Sequence, residues 1–231
     1  MPSDSHEQTV GEALLRTFPY APTLGLGLTA SPIFGPLAER AEEAGFTALW
    51  VPPEALGAAA EVTRNIAVVT TVEVGLSADS KPALPDPAGL RGRLTYVVRF
   101  VDLPLSARLS ARAYRNAVAR AMRKVQVLAR DAGAPVLIQG SCHESLKWIA
   151  DKAQGWVYDR ARLDCVSTLL AEWRRVAGSK PFVQMLPGGP GLDERVNALL
   201  RAGVDHVAVM PSGVAERADL WRLPHALTRP E

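Results

Sequence analysis

Residues 42–51 read EEAGFTALWV, and residues 200–209 read LRAGVDHVAV. Each is the end of an amphipathic helix, an Ala-Gly stop, one apolar residue and then an unbroken apolar run. Gly45 and Gly203 stand where a helix C-terminus takes a left-handed glycine. The runs that follow do not alternate with polar residues, so they suit strands buried on both faces. RDAGAPVLI at 130–138 is a looser copy. A helix-stop-strand unit that recurs predicts a parallel sheet built by right-handed crossovers.

Outward from these units the pattern repeats along the chain. Strands are predicted at Leu24–Leu28, Ala48–Val51, Ile66–Val74, Leu94–Phe100, Pro135–Gln139, Gly155–Tyr158, Phe182–Leu186 and His206–Met210. IAVVTTVEV at 66–74 is the strongest of them, with its high β-branched content. Helices are predicted at Pro36–Ala44, Ala55–Arg64, 108–132, His143–Ala153, Leu163–Val176 and Leu192–Ala202. In the longest, Tyr114, Val118, Ala121, Val125, Leu128 and Ala132 are spaced as an inner seam. Eight buried strands alternating with helices fit an α/β fold, a (β/α)8 TIM barrel, with a doubly wound open sheet as the alternative. Gly25-x-Gly27 lies inside a strand and lacks the continuation of a dinucleotide fingerprint. The Pro- and Gly-rich segment 77–90 stands where a barrel carries its third helix, which is therefore shortened or missing. Residues 1–22 read as a polar leader and 23–231 as one barrel domain.

Of 231 residues, 48% are hydrophobic and 22% charged, which excludes a disordered or collagen-like chain. Two cysteines make no disulfide scaffold, and MPSDSHEQTV is not a signal peptide. No run of ~18 apolar residues spans a bilayer. A cytoplasmic protein with no membrane association is expected. Net charge is +2, unevenly spread. Residues 1–90 carry 11 acids and 4 bases, and residues 91–160 carry 13 bases and 5 acids. The basic residues concentrate on helix 108–132, where a solvated face is the plainer reading and a surface for an anionic partner the sharper one. They lack interleaved stacking aromatics, so nucleic acid is not expected as a partner.

Five segments together resemble the bacterial luciferase-like monooxygenase family, the flavin- and F420-dependent barrels. They are LGLGL (24–28) with LAERAEEAGFTALWVPPEA (37–55), TRNIAVVTTVEVGL (63–76), LRGRLTYVVRF (90–100), APVLIQGSCHESLKWIADKAQGWVY (134–158) and NALLRAGVDHVAV (197–209). The resemblance implies a TIM barrel that binds FMN or F420, performs oxidoreductase or monooxygenase chemistry on a small organic substrate, and pairs as a homodimer. Departures accompany it. The family's long insertion before the last strand is missing, since LPGGPG (186–191) leads almost directly into the final helix and strand. Its usual Asp-His after strand two is replaced by Pro53-Glu54. Its glycines beside the flavin are replaced by Val97, Val98, Arg99 and Phe100, whose bulk stands against a standard flavin pose. The alternative is a non-catalytic barrel that has lost flavin binding and serves as a binding or interaction protein, with no cofactor.

Barrel function belongs at the C-terminal ends of the strands. Gly140, Ser141, Cys142 and His143 follow strand five and open a predicted helix, whose free N–H groups favour a phosphate. The resemblance places the cofactor phosphate there; a tight turn with Ser141 as N-cap is the plainer reading. Gly188-Gly189-Pro190-Gly191 after strand seven is a second such position, read as a loop replacing the insertion. Thr70 and Thr71 end strand three, where the family often carries a non-prolyl cis peptide behind the flavin. Glu54 and Glu73 are carboxylates near the mouth, able to serve as acid or base if burial raises their pKa, or to pair with an arginine. Arg99 at a strand end would meet them as ion pair or ligand anchor. His143 is the histidine placed at the mouth, and His206 is read as structural. Cys142 has no partner at metal spacing, and adjacent Cys142 and His143 do not make a nucleophile pair.

Overall fold

Strands β1 (Thr23–Gly27), β2 (Ala48–Val51), β3 (Ala67–Gly75), β4 (Leu94–Val101), β5 (Val136–Gln139), β6 (Gly155–Tyr158), β7 (Phe182–Pro187) and β8 (His206–Met210) pair in chain order. All pairs are parallel, and β8 returns to β1, so the sheet closes into a barrel. The computed structural model describes residues 18, 22–77, 82–86, 89–101, 110–140, 144–160, 163–211 and 220–224. Its helices are α1 (Phe34–Ala44), α2 (Leu56–Val62), α3 (Ala111–Ala132), α4 (Leu146–Lys152), α5 (Val166–Ala177) and α6 (Leu192–Arg201). The fold is a (β/α)8 TIM barrel. No helix occurs among the described residues between β3 and β4, and residues 188–191 alone join β7 to α6.

The unbroken apolar runs face two cores. Leu49, Val68, Tyr96, Val98, Ile138, Trp156, Phe182 and Val207 pack outward against helices. Ala48, Trp50, Ala67, Val69, Val97, Leu137, Val157, Val183 and Ala208 fill the barrel interior together with Phe18. Burial on both faces is what the lack of alternation demands. Gly45 takes the left-handed conformation (φ 90°) and ends α1 as expected. Two helices differ from expectation. α4 opens at Leu146, not His143, and its N-cap is Ser145, whose hydroxyl accepts from Trp148 N at 3.2 Å. On α3 the buried stripe is Ala117, Val118, Ala121, Met122, Val125 and Ala129, whereas Leu128 is 38% exposed. A 4-3 spacing drifts by ~20° per heptad on a 3.6-residue helix, which carries Leu128 out of the seam.

Side chains tie the N-terminal end of the barrel. The Glu42 carboxylate accepts from Arg64, Asn65 and Ile66 N–H groups at 3.1, 2.6 and 3.1 Å. Partial burial pushes its pKa up, but those three hydrogen bonds and the Arg93 charge together carry it below the usual range. Asp205 accepts from Phe182 N and from the Arg174 guanidinium, both at 2.6 Å. Lys180 Nζ donates to Ala153 O at 2.9 Å, past the end of α4. Contacts at this end of a barrel serve stability.

Candidate functional site

A cavity of about 770 Å³ opens at the C-terminal ends of the strands. Trp50, Val69, Met185 and Met210 give it an apolar lining, while Thr71, Glu73, Arg99 and Gln139 supply polar groups. Leu28, Pro52, Pro53, Leu84 and Pro85 contribute from its rim. The size lies within the ~300–1,000 Å³ of small-molecule sites.

Below the cavity a directed chain of hydrogen bonds holds Trp50. Its indole N–H donates to His206 Nε2 at 3.1 Å. An indole only donates, so Nε2 is the acceptor and the ring proton sits on Nδ1. Nδ1 then donates to Thr23 Oγ1 at 2.7 Å, and the Thr23 hydroxyl donates to Asp205 O at 3.3 Å. Phe18 meets the imidazole edge-on, with ring centroids 5.1 Å apart. Burial pushes the His206 pKa down to about 3, so the ring is neutral. Gly25 makes the cluster possible. A Cβ there would lie 2.5 Å from His206 Nε2 and 2.6 Å from Trp50 Nε1.

Of the residues expected from sequence, Thr71, Glu73 and Arg99 share the cavity wall. Glu73 and Arg99 are direct neighbours across β3 and β4, and their side chains form an ion pair. Thr70 is fully buried one pleat out of phase, behind the inner face, and its Oγ1 has no partner among the described residues. β3 is an uninterrupted strand, with no cis peptide bond among the described residues. Of the bulky β4 residues, Val98 packs in the outer core and Phe100 against it, so only Val97 and Arg99 take up interior space. Glu54 is exposed on the 3-10 turn Pro53–Ala55 and does not line the cavity. Gly140 ends β5 with φ 72°, and its carbonyl accepts from Trp156 Nε1 at 2.8 Å. Ser141, Cys142 and His143 lie outside the described residues. No group of three or more His, Cys, Asp or Glu side chains suited to a metal occurs among the described residues.

The sequence reading missed Trp50, Gln139, Met185 and Met210. Strand parity was the available signal. Met185 and Met210 follow Val183 and Ala208 at period two on the inner face. Gln139 is a lone amide ending the apolar run VLIQ. Tyr96 also acts at the mouth, from outside the barrel. Its hydroxyl donates to Pro85 O at 2.7 Å, which ties down the segment carrying Leu84 and Pro85. Burial, with a smaller effect of the Asp86 charge, pushes the Tyr96 pKa up to about 12. The phenol therefore keeps its proton.

No protein-family model matches this chain. No curated protein matches it in sequence. Solved structures do. An F420-dependent secondary alcohol dehydrogenase, solved with an F420-acetone adduct, superposes with TM-score 0.66 at 12% identity, over 91% of this chain and 98% of that one. The coenzyme F420-dependent tetrahydromethanopterin reductase from Methanopyrus kandleri gives 0.62 at 13% identity, over 89% and 99%. The tryptophan synthase α-subunit from Pyrococcus furiosus gives 0.54 at 16% identity, over 81% and 86%. At these identities the likeness concerns the fold.

Proposed function

We propose that this chain is an F420- or flavin-dependent oxidoreductase whose cofactor ring occupies the mouth cavity. The observation that carries the reading is the cavity itself: an apolar lining around Trp50 and the two methionines, with one buried polar acceptor, Gln139 Oε1, lacking a partner among the described residues. A flat ring with a polar edge fits that lining. The higher superposition on the two F420-dependent enzymes than on the tryptophan synthase subunit supports it.

A bound deazaflavin or flavin supplies hydride transfer. The chain's own residues bind and orient. Trp50, Met185 and Met210 exclude water from beneath the ring. Arg99, held by Glu73, offers guanidinium donors at the rim. The Gly140 N–H is already given to Val157 O at 2.9 Å, so Ser141 and Cys142 are the residues proposed to receive the cofactor phosphate. Glu73, at the cavity wall, and His143 are the groups proposed to exchange protons with a small organic substrate; Glu54, exposed outside the cavity, is not. A cofactor-free binding barrel is the competing reading, favoured by the Arg99–Glu73 pair, which satisfies both charges within the chain.

Titration of the purified protein with F420, and separately with FMN, followed by absorbance and fluorescence, tests this. Saturable binding of one, weakened in Ser141→Asp by repulsion of the phosphate, is expected. Failure of both to bind at high micromolar concentration overturns the reading.

A further inference from the structure

We infer that the β4–β5 side of the mouth recognises a lactam edge, an N–H beside a carbonyl, on a planar heterocyclic ligand. The inference deepens the cofactor reading and rests on it, because deazaflavin and flavin rings both carry such an edge. A substrate ring with the same edge would satisfy the same two groups.

Gln139 is 8% exposed and lines the cavity. Its Nε2 donates to Asp159 Oδ2 at 3.0 Å. An ionised carboxylate only accepts, so the amide cannot turn its oxygen toward Asp159. Oε1 is thereby committed as an acceptor, and it is buried without a partner among the described residues. A buried acceptor in that condition is destabilising, and a ligand N–H reaching it from the cavity would relieve it. Val97 pairs with Leu137 and Val98 with Ile138. Arg99 and Gln139 therefore stand one step further along neighbouring strands, at one level and on the inner face. The guanidinium has five N–H donors, and its pair with Glu73 leaves others for a ligand carbonyl.

Acceptor beside donor is the complement of N–H beside C=O. Other ligand classes fit worse. A phosphate or carboxylate would suit Arg99 but would set its lone pairs against Gln139 Oε1 and lie near the Glu73 and Asp159 carboxylates. A purely apolar ligand would leave the acceptor unpaired.

The test uses lumiflavin, which has the ring and no phosphate, and 3-methyllumiflavin, in which the edge N–H is replaced by N–CH3. Affinity is read from flavin fluorescence and from quenching of tryptophan emission. The wild-type protein is expected to prefer lumiflavin by tenfold or more, about 1.4 kcal/mol. Gln139→Leu should abolish the preference. Asp159→Asn should reduce it, because an amide partner no longer dictates which way Gln139 faces. Equal binding of the two flavins by the wild type, no binding of either, or a preference that survives Gln139→Leu overturns the inference; the wild-type comparison needs no variant to fold. If F420 or FMN binds while lumiflavin shows no preference, the edge assignment falls and the cofactor reading stands. If the preference appears while neither cofactor binds, the edge assignment stands and the cofactor reading falls. Displacement of lumiflavin by F420 identifies the cofactor ring as the bearer of the edge, and simultaneous binding identifies a substrate ring.

Discussion

His206 shows how one buried residue sets both stability and site geometry. Its folded pKa of about 3 lies below the ordinary 6.5 because burial disfavours the charged ring. Between those values the unfolded chain holds a proton that the folded chain excludes. The stability it contributes is therefore present above about pH 6.5 and lost as pH falls toward 3, at up to ~1.4 kcal/mol per pH unit. Urea midpoints measured from about pH 8 down to pH 4 should fall, and less steeply in His206→Gln, which has no ring to protonate. Gly25 is the companion case. Gly25→Ala forces a methyl against His206 and Trp50, and overpacking of this kind costs roughly 1–3 kcal/mol. Equilibrium denaturation should show that loss, with a shift in Trp50 emission.

At the scale of the element, α3 separates what a pattern says from what geometry requires. Met122→Ala should cost ~2–5 kcal/mol, since Met122 is 1% exposed. Leu128→Glu should stay within ~0.5 kcal/mol, since Leu128 has drifted out of the seam. The reverse ranking in thermal melts would restore the seam expected from spacing. Strands were more legible than this helix. Runs such as ALWV and IAVVTTVEV need only be apolar on both sides, so composition alone locates them. Helix starts were less so: α4 was expected at His143, because Ser141 and Ser145 are equally good caps on paper and only tertiary position selects Ser145. The described residues between β3 and β4 hold no helix, as expected, but nothing in the sequence announced that Pro85 would be held by Tyr96. Tyr96→Phe removes that bond. It should lower the melting temperature by only a few degrees, as one net hydrogen bond is worth ~0.5–1.5 kcal/mol. It should also speed proteolysis at 82–86 and dissociation of any ligand in the mouth.

Across the whole molecule the two ends of the barrel divide their duties. Glu42, Lys180 and Asp205 tie the N-terminal end, whereas the C-terminal end carries the cavity. Asp205→Ala should therefore destabilise by ~1–3 kcal/mol, leaving the Phe182 N–H without its acceptor and Arg174 with only carbonyl partners, and leave affinity at the mouth unchanged. Denaturation and ligand titration on the same sample check both halves. The candidate site was legible where a strand end shows its polarity, as with Glu73 and Arg99. It was hidden where the decisive property is a missing partner, as with Gln139 Oε1, because a sequence does not record which hydrogen bonds go unmade. Phe18, seated against His206 beneath the strands, has a consequence for traffic. It packs with the interior side chains at that end, so among the described residues the barrel is a cup and not a pipe. A guest in such a vessel would come and go over the rim, past Leu84, Pro85 and Arg99.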